Sequence, residues 1–435
     1  MNCPLSVACV AVARSVESLT LCWAIALIST LPHPASFRRA PMFDPPPDLI
    51  PLLDQLRAQA ALPPDQARSL PPQLYWHADV WALEVEQIFR KEWLCVARVE
   101  QVPEPGDWLV VDLIGEPLVI TRDRAGALHA LSRICRHRNM DLLHGATERK
   151  GHGNQLQCPY HLWAYDLDGS LRGAPMMEGS SVFDRKACSL PVFPLDVWQG
   201  FIFVSLDADA GPLTPRMAEV ERVLGGIDMS DWRMANTVNW GESPVNWKVA
   251  VENYAEFYHH IGIHQKSLQP LWPAAKVELE AKDSDAVFIG RMHVNPEHAI
   301  GFEDGYPIEP TVLPAMPGLR PAQRSQTVVY GVFPLFGLVV SPAYALWFEW
   351  TPTGPESHRC DIHAIVPPAT FDAPGFAQGL EMLMHGAWAV QAEDAAANAG
   401  VQASARSLHA VSGPLAPIES SLLQFQRYLA RRLCD

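Results

Sequence analysis

The 435-residue sequence predicts an α+β fold: an all-β unit carrying two metal-binding loops, then a larger unit in which an antiparallel sheet is covered by helices. Three observations predict it. From Leu94 to Phe203, short β-branched and aromatic runs alternate with Gly, Pro and Asp turns. The stretches 246–264 and 376–402 instead repeat apolar residues at three and four. Between them, six strand-like runs separated by Pro and Gly turns complete an antiparallel sheet.

Residues 1–41 differ in character from the rest of the chain. Leu19 to Leu31 is apolar, with Arg14 upstream and Arg38-Arg39 downstream, which imitates a signal peptide. The run is too short for a bilayer, so no membrane span is expected. The expectation is a non-native or disordered extension, with the protein proper starting at Met42. The next segment, 42–97, is expected to be helical and to pack on the larger, helix-covered unit. Leu49 to Ala60 has helical spacing, Pro63-Pro64 and Pro71-Pro72 break the chain, and Val80, Leu83, Val85, Ile88, Phe89 and Trp93 form an apolar stripe.

Strands follow in 98–210. Trp108 to Ile114, Leu118 to Thr121 and Leu128 to Leu131 are joined by turns at Gly115-Glu116-Pro117 and Asp123 to Gly126, and they deliver Cys135 at a loop tip. Val192 to Phe203 is expected to close the same sheet. Cys95 and Cys188 lack partners at ligand spacing and read as structural.

The loops read Cys135-Arg136-His137 and Cys158-Pro159-Tyr160-His161. Each offers one thiolate and one imidazole. A structural zinc accepts two Cys and two His, usually as a Cys pair followed by a His pair. The alternating order here suits a [2Fe-2S] centre, in which the cysteines hold one iron and the two imidazoles the other. Neutral imidazoles leave such a cluster less negative and raise its potential.

The stretch Cys135-Arg136-His137-Arg138-Asn139-Met140-Asp141-Leu142, with Cys158 to Gly169, resembles the cluster-binding region of the Rieske non-haem iron oxygenases, specifically their large alpha, or terminal oxygenase, subunits. Members usually carry Gly where Asn139 and Leu162 stand. Asn tolerates a left-handed backbone, but Leu does not, so the second loop is expected to differ locally. Asp168-Gly169 supplies a hairpin signal after it.

The segment 246–264 carries Asn246-Trp247-Lys248, Glu252-Asn253, Glu256, His259 and His264. Two imidazoles and a carboxylate with open positions bind Fe(II) for oxygen activation. A histidine pair on a helix is also an ordinary structural feature. Five residues turn an ideal helix by about 140°, so the helix must bulge or end between His259 and His264, with Gly262 well placed for either. The segment resembles the mononuclear iron motif of the same family. That resemblance implies His259 and His264 as iron ligands, Glu256 as the carboxylate linking cluster and iron, Asn253 close to the iron, and His260 as a non-ligand. It further implies that the helix 376–402 supplies the third ligand, Asp394, with adjacent Glu393 as the alternative.

The chain's 33 basic and 48 acidic residues give a formal charge of −15 without a basic run, which excludes nucleic acid as a partner. Nine cysteines are too few for a disulfide framework, and thiolate ligation fits a reducing cytoplasm. No Gly-x-Gly-x-x-Gly fingerprint appears, so NAD(P)H electrons would come from a separate flavin/iron–sulfur reductase or through a ferredoxin. The resemblance implies a homotrimeric terminal oxygenase that uses one Rieske cluster, one mononuclear Fe(II) and O2 to hydroxylate an organic, aromatic substrate. Glu at position 256 resembles the branch that oxidises quaternary ammonium compounds such as choline, betaine or carnitine, for which Tyr344, Trp347 and Trp350 could form a cage. Phe288, Val332, Phe336, Leu338 and Trp347 are candidate pocket walls. A Rieske-type electron carrier and a zinc-dependent structural protein are the rival classes.

Overall fold

Strands after Leu94 sort into two families of sheets, and the metal-binding loops belong to the first. In the computed structural model, residues 46–146, 148–280 and 286–434 are described. The expected extension over 1–41 and the start at Met42 lie outside them. The first sheet has five antiparallel strands in the order Lys150–His152, Asp107–Leu113, Glu116–Arg122, Leu128–Ser132, Val192–Phe193. A second, of Leu156–Gln157, Ala164–Tyr165 and Leu171–Gly173, packs against it through Leu131, Leu156, Trp163, Tyr165, Leu167, Leu171 and Leu190.

The expectation that 192–203 closes this sheet holds only at Val192–Phe193. Pro194 ends that pairing, and Leu195–Trp198 and Phe201–Val204 join Leu94–Arg98 in a separate three-stranded sheet. Phe201–Val204 is buried at every position and packs on the catalytic core. A strand buried on both faces shows no alternation, so its sequence did not reveal which sheet it joins.

The largest sheet has seven antiparallel strands in the order Arg233–Ser243, Ser357–Val366, Ala345–Gly354, Phe336–Val340, Gln326–Val332, Val287–His293, Val277–Leu279. All strands except Arg233–Ser243 were expected. That one is polar and bulged in two places, between Met234 and Asn236 and between Asn239 and Gly241, so neither hydrophobicity nor a clean period marks it. One face of the sheet packs Tyr330, Phe336, Leu338 and Trp347 against Phe201, Phe203 and the helix Thr214–Leu224. Over the other face lie the helices Trp247–Ala255 and Phe376–Ser404.

The N-terminal stripe forms the helix Ala78–Glu84, continued as a π-helical turn over Val85–Phe89. It docks by charge as well as by packing. Glu84 receives hydrogen bonds from Lys248 Nζ at 2.5 Å and Trp247 Nε1 at 2.8 Å, and both charged side chains are fully buried. Asn246 caps the same helix by accepting from Lys248 N at 2.8 Å. The Asn-Trp-Lys motif is thus the structural footing of the helix that leads to the site. The C-terminal helix Ser420–Leu433, not expected from sequence, closes over the other end, with Ser421 Oγ donating to Ala255 O at 2.5 Å. Among the described residues no helix is long and apolar enough to cross a membrane.

Candidate metal centres and the cavity between sheet and helices

The two cysteine loops share one backbone frame. Cys135 N donates to Met140 O at 2.8 Å and Asn139 N to Cys135 O at 3.0 Å; Cys158 N donates to Trp163 O at 2.8 Å and Leu162 N to Cys158 O at 3.0 Å. The fourth loop position is left-handed in both, with φ of 57° at Asn139 and 59° at Leu162. The second loop therefore does not differ locally, contrary to expectation. Leu162 takes the conformation that suits Gly, at a cost of about 1–2 kcal/mol, and the two hydrogen bonds closing the turn hold it there.

Cys135 and Cys158 are buried neighbours, and neither is in a disulfide. The rings of His137 and His161 lie 4.6 Å apart at 73°. His137 stacks on Trp163 at 4.9 Å, which fixes its plane. His161 Nδ1 is buried without a hydrogen-bond partner. Two buried thiols, two imidazoles and an orphaned nitrogen fit a [2Fe-2S] group ligated by two cysteines and two histidines. Tyr165 places its hydroxyl 3.3 Å from Cys135 Sγ and accepts from Arg136 N at 3.0 Å. Nothing in the sequence marked this tyrosine, since its role depends on a strand partner thirty residues from Cys135.

The second set is built at a helix end. The helix Trp247–Ala255 stops before Glu256, which is extended at φ −124°, ψ 166°, and a 3-10 turn covers Tyr258–Ile261. Glu256 is thus not part of a continuous helix with His259. It caps the turn, accepting from Tyr258 N and His259 N and from His259 Nδ1 at 2.5 Å. The turn also explains the five-residue spacing: Gly262 N and Ile263 N both bond His259 O at 2.9 Å, and the chain reverses to bring the His264 ring 5.0 Å from that of His259.

Asp394, on the helix Phe376–Ser404, meets both imidazoles. Its Oδ1 is 3.0 Å from His264 Nε2 and 3.7 Å from His259 Nε2, and one ligand atom from each of the three residues falls within 4.8 Å of the others. Glu393 turns to the far side of His264, 2.7 Å from Nδ1, and accepts from Ser267 Oγ at 2.6 Å. Each imidazole is thus held at Nδ1 by a carboxylate, with Nε2 turned to Asp394, the arrangement that orients a metal-ligating histidine. Burial alone would lower the pKa of His264, yet Asp394 and Glu393 raise it. The site attracts positive charge where a metal would replace the proton, so these residues fit a mononuclear Fe(II). His260 is buried beside them but outside the triad, its pKa pushed to about 3 by burial first and then by His259 and His264.

The triad opens into a cavity of about 420 Å³ between the helices and the large sheet. Asn253, Tyr254 and Phe257 line one side; Thr327, Val329, Val339, Leu346, Phe348, Trp350 and Ile362 line the sheet side. Gly337 makes room there, since a Cβ would lie 2.6 Å from the Trp350 ring. Of the proposed walls, Val332, Phe336, Leu338 and Trp347 sit in the core on the opposite face, and Phe288 packs over Gly331. The strands were located correctly, but a one-residue error of phase exchanges the faces of a sheet. Of the suggested cage residues, Tyr344 and Trp350 line the cavity and Trp347 does not.

Both parts of the chain are similar to known proteins. A model of the Rieske [2Fe-2S] domain matches residues 92–194, and a model of the ring hydroxylating alpha subunit catalytic domain matches 229–434. The carnitine monooxygenase oxygenase subunit of Acinetobacter pittii (strain PHEA-2) is 35% identical over 198 residues, 45% of this chain and 52% of that protein. The chain thus spans about half the length of the curated relatives it matches. In fold it is similar to a quaternary ammonium Rieske monooxygenase (TM-score 0.73, 23% identity, 86% of this chain and 98% of the other). It is also similar to naphthalene 1,2-dioxygenase from Rhodococcus sp. (TM-score 0.72, 19% identity, 90% and 99%). With a Rieske [2Fe-2S] domain followed by a ring-hydroxylating alpha-subunit catalytic domain, the chain belongs to the alpha subunits of the Rieske non-haem iron oxygenases.

Proposed function

We propose that this chain is a cytoplasmic terminal oxygenase component, fed with NAD(P)H electrons by a separate flavin/iron–sulfur reductase, directly or through a ferredoxin, and that it hydroxylates a small organic substrate with O2. The observation that carries this reading is the convergence of His259, His264 and Asp394 on an aromatic-walled cavity. An electron carrier needs neither. Cys135, His137, Cys158 and His161 would hold the [2Fe-2S] cluster, and His259, His264 and Asp394 the Fe(II). When bound, the cluster would supply single electrons and the iron would supply O2 activation.

The chain's own residues do the rest. Glu256 and Glu393 fix which nitrogen of each histidine faces Asp394. Asn253 lines the cavity into which the triad opens, and the Tyr254, Phe348 and Trp350 cluster gives that cavity an aromatic wall. The domain division proposed is 42–97, 98–210 and 211–435.

Glu256 is also the proposed link between chains of a cyclic homotrimer, accepting a hydrogen bond from a cluster imidazole, such as His161, of a neighbouring copy. Mixing His161→Ala with Asp394→Ala protein under subunit exchange should restore activity; a dead mixture despite exchange rejects the link. A second reading, oxidation of a quaternary ammonium compound, is favoured by Glu256 and by the aromatic walls. The test of the main reading is substrate-dependent O2 uptake with a surrogate reductase across a panel of aromatic and ammonium compounds. Electron acceptance from the reductase without O2 uptake for any compound would leave the carrier reading instead.

A further inference from the structure

Behind one wall of the cavity lies a carboxylate that the metal sites do not use. Glu309 is 3% exposed and makes no ion pair among the described residues. Its two oxygens accept hydrogen bonds from two cavity-lining side chains, Trp272 Nε1 at 3.1 Å and Thr327 Oγ1 at 2.7 Å. A third lining residue, Tyr344, has its phenol pKa raised by burial and by the Glu309 charge. A buried carboxylate without a counter-ion is costly, and its two donors stabilise the ionised form. Donation from the indole to a carboxylate also leaves the Trp272 ring richer in electrons, which strengthens its attraction for a cation.

The acidic side chains of the lining, Glu256 and Asp394, belong to the metal site, where the iron would offset their charge. Among the described residues no Lys or Arg stands along the rest of the wall. A substrate carboxylate would therefore meet no cationic side chain, whereas a positive group would meet aromatic rings with a negative charge behind them.

We infer that the cavity binds a carboxylate-free organic cation, an amine or ammonium, whose positive head rests against Trp272 and Tyr344 with Glu309 as its counter-charge. The inference rests on the proposed oxygenase reading only in taking this cavity as the substrate site. It separates this chain from relatives whose names specify carnitine or glycine betaine, both of which carry a carboxylate. Glu309 acts here as a specificity-determining residue through the ring and hydroxyl it holds. Burial raises its pKa to about 7, so an arriving cation can draw it fully into the charged form.

Three probes of nearly equal shape test this: choline, a cation; 3,3-dimethylbutan-1-ol, its neutral isostere; and glycine betaine, a zwitterion. Binding to the metal-loaded protein is read by titration calorimetry, which needs no turnover. Choline is expected to bind about tenfold more tightly than either of the others, the scale of a partly desolvated cation–π contact plus one screened charge. Glu309→Gln should remove most of that preference while leaving the neutral isostere unchanged. Should that variant fail to fold, Trp272→Leu decides, and should weaken choline more than the isostere. Equal or tighter binding of betaine or of the neutral isostere, no choline binding at all, or full choline preference in the folded variants overturns the inference. Choline binding without O2 uptake for any compound of the panel would instead defeat the oxygenase reading and leave the cation site standing.

Discussion

Lys248→Met should show that the site is held in place by a buried ion pair rather than by helix propensity. Lys248 and Glu84 are both fully buried, 2.5 Å apart, and Trp247 donates to the same carboxylate. Removing the ammonium leaves Glu84 with one neutral donor in an apolar setting. Breaking such a pair costs about 3–5 kcal/mol. The loss should depend on pH. Burial already raises the pKa of Glu84, against the lowering effect of Lys248, and without Lys248 it rises further. A carboxyl whose folded pKa lies above its unfolded value loses stability as pH rises through that window, so the variant should be hurt most at pH 8 and least near pH 5. The double variant Glu84→Gln/Lys248→Met should recover most of the loss, because no buried charge remains. Urea unfolding followed by tryptophan fluorescence, with iron content measured in parallel, is the assay. The helix that Lys248 anchors hands the chain to Glu256 and His259, so iron occupancy should fall with stability. A single variant within about 1 kcal/mol of wild type at pH 8, or a double variant no better than the single one, would refute the reasoning.

Other expectations come from individual contacts. Glu393→Gln keeps the triad but weakens the acceptor on His264 Nδ1, so iron affinity should drop about 10–100-fold without change in the cluster spectrum; unchanged affinity would remove Glu393 from the site. Tyr165→Phe deletes the hydroxyl beside Cys135 Sγ and should lower the cluster's reduction potential, measured by redox titration; a potential that stays or rises counts against that contact. Glu309 holds its proton up to about pH 7 when folded, against 4.5 as its ordinary value, so it weakens the fold as pH rises across that interval. Glu309→Gln should therefore gain on wild type between pH 5 and pH 8 by up to about 3 kcal/mol, read as the change in the difference between their unfolding free energies.

Much of the site was legible because its chemistry is local. Cysteine and histidine two or three residues apart can only be used together if a tight loop presents them, and the structure builds both loops on the same hydrogen-bond frame. His259 and His264 were legible as a pair, but their geometry was not. The helix stops where Glu256 competes for the backbone N–H groups of Tyr258 and His259, and a period count does not register that competition. Glu393 and Asp394 could not be told apart by sequence because adjacent helical positions differ by about 100° in direction, and only the position of His264 decides which faces which nitrogen. The cavity wall was misassigned for the same kind of reason: Leu338 and Val339 are equally apolar, and only the helices on one side and Phe201 and Phe203 on the other distinguish the faces.

Iron stoichiometry read together with the visible spectrum, in wild type and in Asp394→Ala, tests the central claim most directly. Wild type is predicted to hold about three irons per chain and to show the absorption of a Rieske centre. Asp394→Ala should hold about two, with that absorption unchanged, because no residue near the cysteine loops is touched. A wild type with only two irons, a colourless zinc protein, or an Asp394→Ala variant that keeps its third iron while Glu393→Ala loses it would contradict the account.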